Sequence, residues 1–145
     1  MTFSNETKAE LAKPLNKAHV KPPAPGKYGD YIEGWRVIDE ANRIFGFDGW
    51  HREITVKMLG EPREVGGKWR VDYIASARIT VGNVIRDGHG FGQGIDKDIG
   101  QAHESALKEA ETDAMKRAFM TFGNPFGLAL YDKTQSNVAS LPPAK

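Results

Sequence analysis

From Trp69 to Val81 the chain alternates with period two. Trp69, Val71, Tyr73, Ala75, Ala77, Ile79 and Val81 fall on one face, Arg70, Asp72, Ser76, Arg78 and Thr80 on the other, and only Ile74 breaks the pattern. The pattern predicts a long, half-buried strand. Gly82-Asn83 is a two-residue hairpin signal, so Val84 onward returns antiparallel beside it. A shorter alternation at Ile54, Val56 and Met58 predicts another strand over 51–59, after which "GEPREVGGK" turns the chain. Two stretches follow a helical period instead. In "DYIEGWRVIDEANRIFG", Ile32, Trp35, Ile38, Ala41 with Asn42, and Phe45 recur at three- and four-residue spacing, with Asp30 as the expected N-cap and Gly46 as the stop. Asp98 to Phe122 reads as one long helix, its apolar set being Ala102, Ala106, Ala110, Ala114, Ala118 and Phe122, closed by Gly123 with Pro125 beyond. The predicted architecture is α+β: an N-terminal helix, a three-stranded antiparallel sheet and a long C-terminal helix. Residues 1–27, polar, lysine-rich and ending in "KPPAPGK", are expected to be a flexible arm, residues 28–133 the domain, and residues 134–145 a disordered tail.

The hairpin's second arm contains "RDGHGFGQG", with a glycine at every second position from Gly88 to Gly94. A glycine-rich segment before a helix suggests a phosphate cradle and hence a small nucleotide-binding enzyme. The motifs do not fit that reading. Neither frame completes GxGxxG, since Gln93 or Ile95 stands where the third glycine belongs, and no Gly-Lys-Ser/Thr follows. As a strand, the same segment puts Gly88, Gly90, Gly92 and Gly94 on one face and His89, Phe91 and Gln93 on the other. The bare face admits close approach of another backbone, from a packing helix, a neighbouring subunit or a ligand; a flexible connector is the plainer alternative.

Composition narrows the function classes. The chain of 145 residues has 39% hydrophobic and 27% charged residues, as in an ordinary globular domain. With no cysteine there is neither a disulfide nor a thiolate metal site, and His19, His51, His89 and His103 show no metal-ligand spacing, so no metal or other cofactor is expected. No apolar run is long enough to span a membrane, and Glu6 and Glu10 argue against a targeting segment, which predicts a cytoplasmic protein. Asp96 and Asp98 read as helix caps and Glu104, Glu109, Glu111 and Asp113 as a solvated helix face. No serine or threonine has an obvious histidine partner in sequence, and no catalytic residue is assigned. The net charge of +1 is small but segregated: five lysines precede Gly29, whereas Ile95 to Met120 holds six acids against Lys97, Lys108, Lys116 and Arg117. Lys116 and Arg117 taken alone are explained by compensation of the helix dipole.

A resemblance changes that balance. "KEAETDAMKRAFMTFGNPFGLALYDK", Lys108 to Lys133, closely resembles the end of the DNA-binding domain of the Rad52 family of single-strand annealing proteins. "YIEGWRVIDEANRIFGFDGW", Tyr31 to Trp50, is similar to that family's opening helix, and Gly90-Phe91-Gly92 to its "GYG" strand end. The resemblance covers about residues 28 to 133. It implies a β-β-β-α domain assembling into a homo-oligomeric ring, with single-stranded DNA in an outer basic groove and complementary strands annealed without ATP. Recombination and double-strand break repair by a protein that is not an enzyme are implied, and whether double-stranded DNA is also bound stays open.

The family's groove pair maps onto Lys116 and Arg117. Lys68 matches a lysine of a secondary DNA site, and Lys97 another after a one-residue gap. One departure is Met120, where the family commonly has a further basic residue; Arg70, Arg78 and Arg86, on or beside the polar face of the hairpin, are the candidates to replace it. The short chain suggests a bacterial or phage-type, nucleoid-associated member. On the helical wheel Lys116 lies off the apolar stripe and Arg117 flanks it, so Lys116 is expected to be the freer phosphate contact and Arg117 the more fixed one. The alternating hairpin and the bare glycine face are expected to supply packing between subunits.

Overall fold

The computed structural model describes residues 3–142. In chain order its elements are helix α1 (Asn5–Ala12), strand β1 (Leu15–Asn16), helix α2 (Gly34–Phe45), strands β2 (His51–Met58), β3 (Arg63–Val65), β4 (Lys68–Val81) and β5 (Val84–Asp96), helix α3 (Ile99–Met120) and strand β6 (Val138–Ala139). The α+β class and the order of helix, antiparallel sheet and long helix are as expected. The sheet has four strands instead of three, because the segment read as a turn contains β3: Arg63, Glu64 and Val65 pair with Arg70, Trp69 and Lys68. Pro62 before it and Gly66 and Gly67 after it, at φ of 64° and 80°, confine that strand to three residues.

The chain divides into two compact units, His51–Thr80 with Ile85–Ala118, and Met1–Trp50 with Val81–Val84 and Phe119–Lys145. In the first of these, β2 runs antiparallel to β4 in a register from His51 opposite Thr80 to Met58 opposite Tyr73. β5 pairs with the other edge of β4. As β4 advances from Asp72 to Ser76 to Arg78, the side chains bonded to it on β5 step back from Gln93 to His89 to Asp87, the signature of an antiparallel hairpin. The predicted alternation holds, with Val71, Ala75, Ala77 and Ile79 each no more than 1% exposed.

The glycine face is filled by the chain's own helix. A Cβ added at Gly88, Gly90, Gly92 or Gly94 would come within 3.0 Å of α3 backbone atoms, at Ala118, Ala114, Ala106 and Ala102 among others. Ala102, Ala106, Ala110, Ala114 and Ala118 are themselves fully buried. Two backbones approach so closely only when neither element carries more than a methyl group at the contact, and the dense dispersion contacts offset the entropic cost of strand glycines. Of the expected occupants of the bare face, the packing helix is the one present, and this agrees with the motif failures that argue against a nucleotide cradle. One expectation is corrected: the glycine side is not available to a neighbouring subunit. Asp98 caps α3 as expected, its Oδ2 accepting from Gln101 N–H at 3.2 Å.

The other unit has a different character, built on aromatic packing. Phe45 stacks on Phe126 at 5.8 Å between ring centroids, Phe119 on Phe126 at 5.2 Å, and Trp50 meets Phe119 edge-on at 5.2 Å. Helix α2 starts later than the sequence suggests. Asp30 is not its N-cap but accepts a hydrogen bond from Gln135, while a bridge between Lys21 and Tyr31 holds the preceding chain extended. The face α2 buries is centred on Val37 and Ala41, leaving Trp35 55% exposed under the Arg36 guanidinium. Glu40, only 5% exposed, is held by Arg43, which also reaches Glu10.

Residues 1–27, expected to be a structureless arm, contain α1 and β1. Ser4 caps α1 by accepting from Thr7 N–H, and Leu11 and Leu15 are buried, two apolar anchors that a polar average conceals. β6 lies in the segment expected to be a disordered tail. It pairs in parallel with β1, Leu15 with Val138 and Asn16 with Ala139, after a turn in which Asp132 accepts from Thr134 and Ser136. The outermost residues of both expected segments, 1–2 and 143–145, lie outside the described residues.

Candidate nucleic-acid interface

Helix α3 distributes its side chains by the 100° step per residue. The alanine stripe faces the glycines of β5. Asp113 and Arg117 occupy the flank beside the free edge of β5, where Asp113 Oδ2 accepts the Phe91 backbone N–H at 3.2 Å and Asp113 Oδ1 accepts Arg117 Nε–H at 3.2 Å. Met115 takes the opposite flank and is met by Arg52 of β2, whose Nη1 lies 3.4 Å from its sulfur. Lys116 points away from the stripe.

In exposure the two cations run against the expected order, although Arg117 is still the one held beside the sheet, by Asp113. Arg117 is the exposed one, its side chain 56% accessible, whereas Lys116 is half-buried. Burial pushes the Lys116 ammonium below the usual lysine value, an effect that the Asp113 carboxylate partly offsets. The wheel gives a side chain's direction correctly but carries no information on what surrounds it.

The remaining cations separate into groups. Lys68, at the start of β4, and Lys97, just past the end of β5, are both exposed, and the hairpin register brings them opposite each other at its open end. They stand near the start of α3, roughly 28 Å along the helix axis from Arg117. Arg70 and Arg78 occupy the sheet face turned away from α3, since they alternate with the buried Val71, Ala77 and Ile79. Arg78 is engaged there by Asp87 in a two-point fork at 2.8 and 3.1 Å, which holds the carboxyl below its ordinary range. Arg86 shares the α3 side of β5 with Gly88 and is half-buried. The seven cations picked out in the sequence are therefore not one patch.

Two features escaped the sequence reading. Arg52 sits where the alternation Ile54, Val56, Met58 places an apolar-face residue, and a cation in that position was the available signal. The structure also gives Ser76 a histidine partner, His89 Nδ1 at 2.9 Å, which no sequence spacing reveals. That bond is one rung of the exposed cross-strand ladder, beside the Arg78–Asp87 fork. Among the described residues there is no cluster of three or more His, Asp or Glu side chains suited to a metal, and no helix long and apolar enough to cross a membrane.

Residues 4–141 match the family described as Rad52/22 family double-strand break repair protein. The DNA repair and recombination protein RAD52 of Saccharomyces cerevisiae is 41% identical over 106 residues, covering 71% of this chain and 22% of the relative. The DNA repair and recombination protein rad22 of Schizosaccharomyces pombe is 36% identical over 137 residues, covering 89% of this chain and 29% of the relative. The DNA repair and recombination protein radC of Emericella nidulans is 34% identical over 133 residues, covering 86% and 22%. These relatives are fungal, whereas the sequence reading pointed to a bacterial or phage-type protein, and the chain spans less than a third of the length of each. The matched segment takes in both units and every element of the fold, and on that ground the chain belongs to the Rad52/22 family of double-strand break repair proteins.

Proposed function

We propose that this chain binds single-stranded DNA through the C-terminal half of α3 and promotes ATP-independent annealing of complementary strands in recombination and repair. The observation that carries the reading is the pair Lys116-Arg117, which the sequence resemblance maps onto the family's groove pair, on a helix whose alanine side is locked to the sheet. Both cations suit phosphates, and contacts to phosphate leave base edges exposed for a second strand. Phosphate-dominated binding needs neither a nucleotide nor a covalent step. Lys68 and Lys97 form a second, weaker contact at the open end of the hairpin. Arg86, on the α3 side of β5, is the hairpin arginine best placed to supply charge that Met120 lacks, while Arg70 and Arg78 serve the opposite face.

Assembly into a ring belongs to the same proposal. One copy has a net charge of only +1, and repetition along a continuous strand multiplies the phosphates neutralised. The outward side of the hairpin, which exposes Ile74 at 39%, Phe91 at 49% and Ile95 at 45%, supports such an interface now that the glycine side is occupied. The test is annealing of two complementary oligonucleotides, one carrying a fluorophore and the other a quencher, without ATP, alongside light scattering of the protein. Faster pairing by an oligomer is the expected result. A monomer that leaves the pairing rate unchanged overturns the reading.

A further inference from the structure

Asp113 is where three features of α3 converge. Its Oδ1 accepts Arg117 Nε–H, its Oδ2 accepts the Phe91 N–H on the free edge of β5, and its charge offsets part of the desolvation of Lys116. One carboxylate thus serves the edge strand and both cations of the candidate interface. Because the Phe91 bond ties it to the sheet, it holds Arg117 with a group that is itself fixed. A phosphate asks of the guanidinium what this carboxylate already receives, a charge-assisted N–H bond. Glu109, one turn earlier on the same flank, makes the equivalent edge bond to Gln93 N–H at 3.3 Å, but among the described residues no cation is bonded to it.

We propose that Asp113 is the resident counter-ion of the α3 cations: it positions Arg117 while no strand is present, and a DNA phosphate must compete with it for that guanidinium. Affinity is thereby held below what the cations alone would give, so that a bound strand can exchange. The inference rests on the reading of Lys116 and Arg117 as phosphate contacts, and Asp113 is a positioning residue within it. A merely structural carboxylate predicts the opposite sign, since its loss would loosen α3 and weaken binding.

The experiment is anisotropy of a labelled single-stranded oligonucleotide at several salt concentrations. The proteins are the intact chain, Asp113→Asn, Glu109→Gln, Arg117→Gln and Asp113→Asn/Arg117→Gln. Asparagine keeps an oxygen to accept the Phe91 N–H; should it fail to fold, Asp113→Ser carries the same prediction. Asp113→Asn is expected to bind roughly two- to fivefold more tightly at low salt, with a salt slope steeper by about 0.7 for each phosphate gained. Glu109→Gln should change affinity less, and the gain should vanish when Arg117 is also replaced. Unchanged or weaker binding by a folded Asp113→Asn overturns the proposal. So does an equal gain from Glu109→Gln, or a gain that persists without Arg117. If the intact chain itself binds no strand, it is the assignment of Lys116 and Arg117 that falls, and this inference falls with it.

Discussion

The two sides of the β4–β5 hairpin are built on opposite rules. Toward α3, β5 presents four glycines, and the helix answers with five alanines, so the contact is backbone against backbone. Away from α3, the same strands carry a ladder of side-chain pairs: Asp72 with Gln93, Ser76 with His89, Arg78 with Asp87. On the first side the fold depends on what is missing, and a single added methyl group meets main chain that cannot move aside. On the second, the Ser76–His89 and Arg78–Asp87 pairs are exposed to water, where loss of one pair costs little, and only Asp72–Gln93 is partly buried. The cations of the proposed interface ride on the first side, carried by a helix whose position the glycines determine.

The largest effect is expected on the glycine side. Gly92→Val puts a branched side chain into the backbone at Ala106 and Ala110 and should cost about 3 kcal/mol or more, a severe case of overpacking. Urea denaturation read by circular dichroism would measure it, and DNA binding should be lost along with the α3 packing. A near-native midpoint would mean that α3 does not depend on the bare face.

An intermediate effect is expected from Lys116. Its folded pKa lies below the ordinary lysine value, so between the two an unfolded chain binds more protons, and this group's contribution makes stability rise with pH in that window. DNA binding runs the other way, because a phosphate favours the charged ammonium. Affinity should fall as pH rises through the folded pKa, before ordinary lysines titrate, and Lys116→Arg should flatten the decline. Anisotropy titrations from about pH 7 to about pH 10 would show it. A decline of the same shape in Lys116→Arg would assign the titration to another group.

The smallest effect belongs to Arg78→Ala. The Arg78–Asp87 fork is fully exposed, so the urea midpoint should not move measurably, and strand binding should change far less than on loss of Lys116 and Arg117. A clear drop in binding would make the outward sheet face part of the DNA path.

The same contrast explains what could be read from the sequence. The alternation of Trp69 to Val81, the Gly82-Asn83 turn and the alanine period of α3 are local signals, and each specified its element nearly to the residue. That the glycines face α3 is tertiary; period two predicts a bare face but not its occupant. α1 and β6 were missed because Leu11 and Leu15 are isolated apolar residues in a polar stretch, and the β1–β6 pairing joins residues at opposite ends of the chain. Of the candidate site, the placement of Lys116 and Arg117 on one helix was legible. The exposure of Arg117, the burial of Lys116 and the edge bond of Asp113 depend on neighbours that no spacing encodes.

The most direct test is strand binding by the intact chain against Lys116→Ala/Arg117→Ala across a salt series. Loss of two phosphate contacts per protomer predicts binding about tenfold weaker or more, and a salt slope shallower by about 1.4 for each protomer engaged. Equal affinity and an equal slope in a folded double variant would contradict the account, showing that α3 carries these cations without using them to hold DNA.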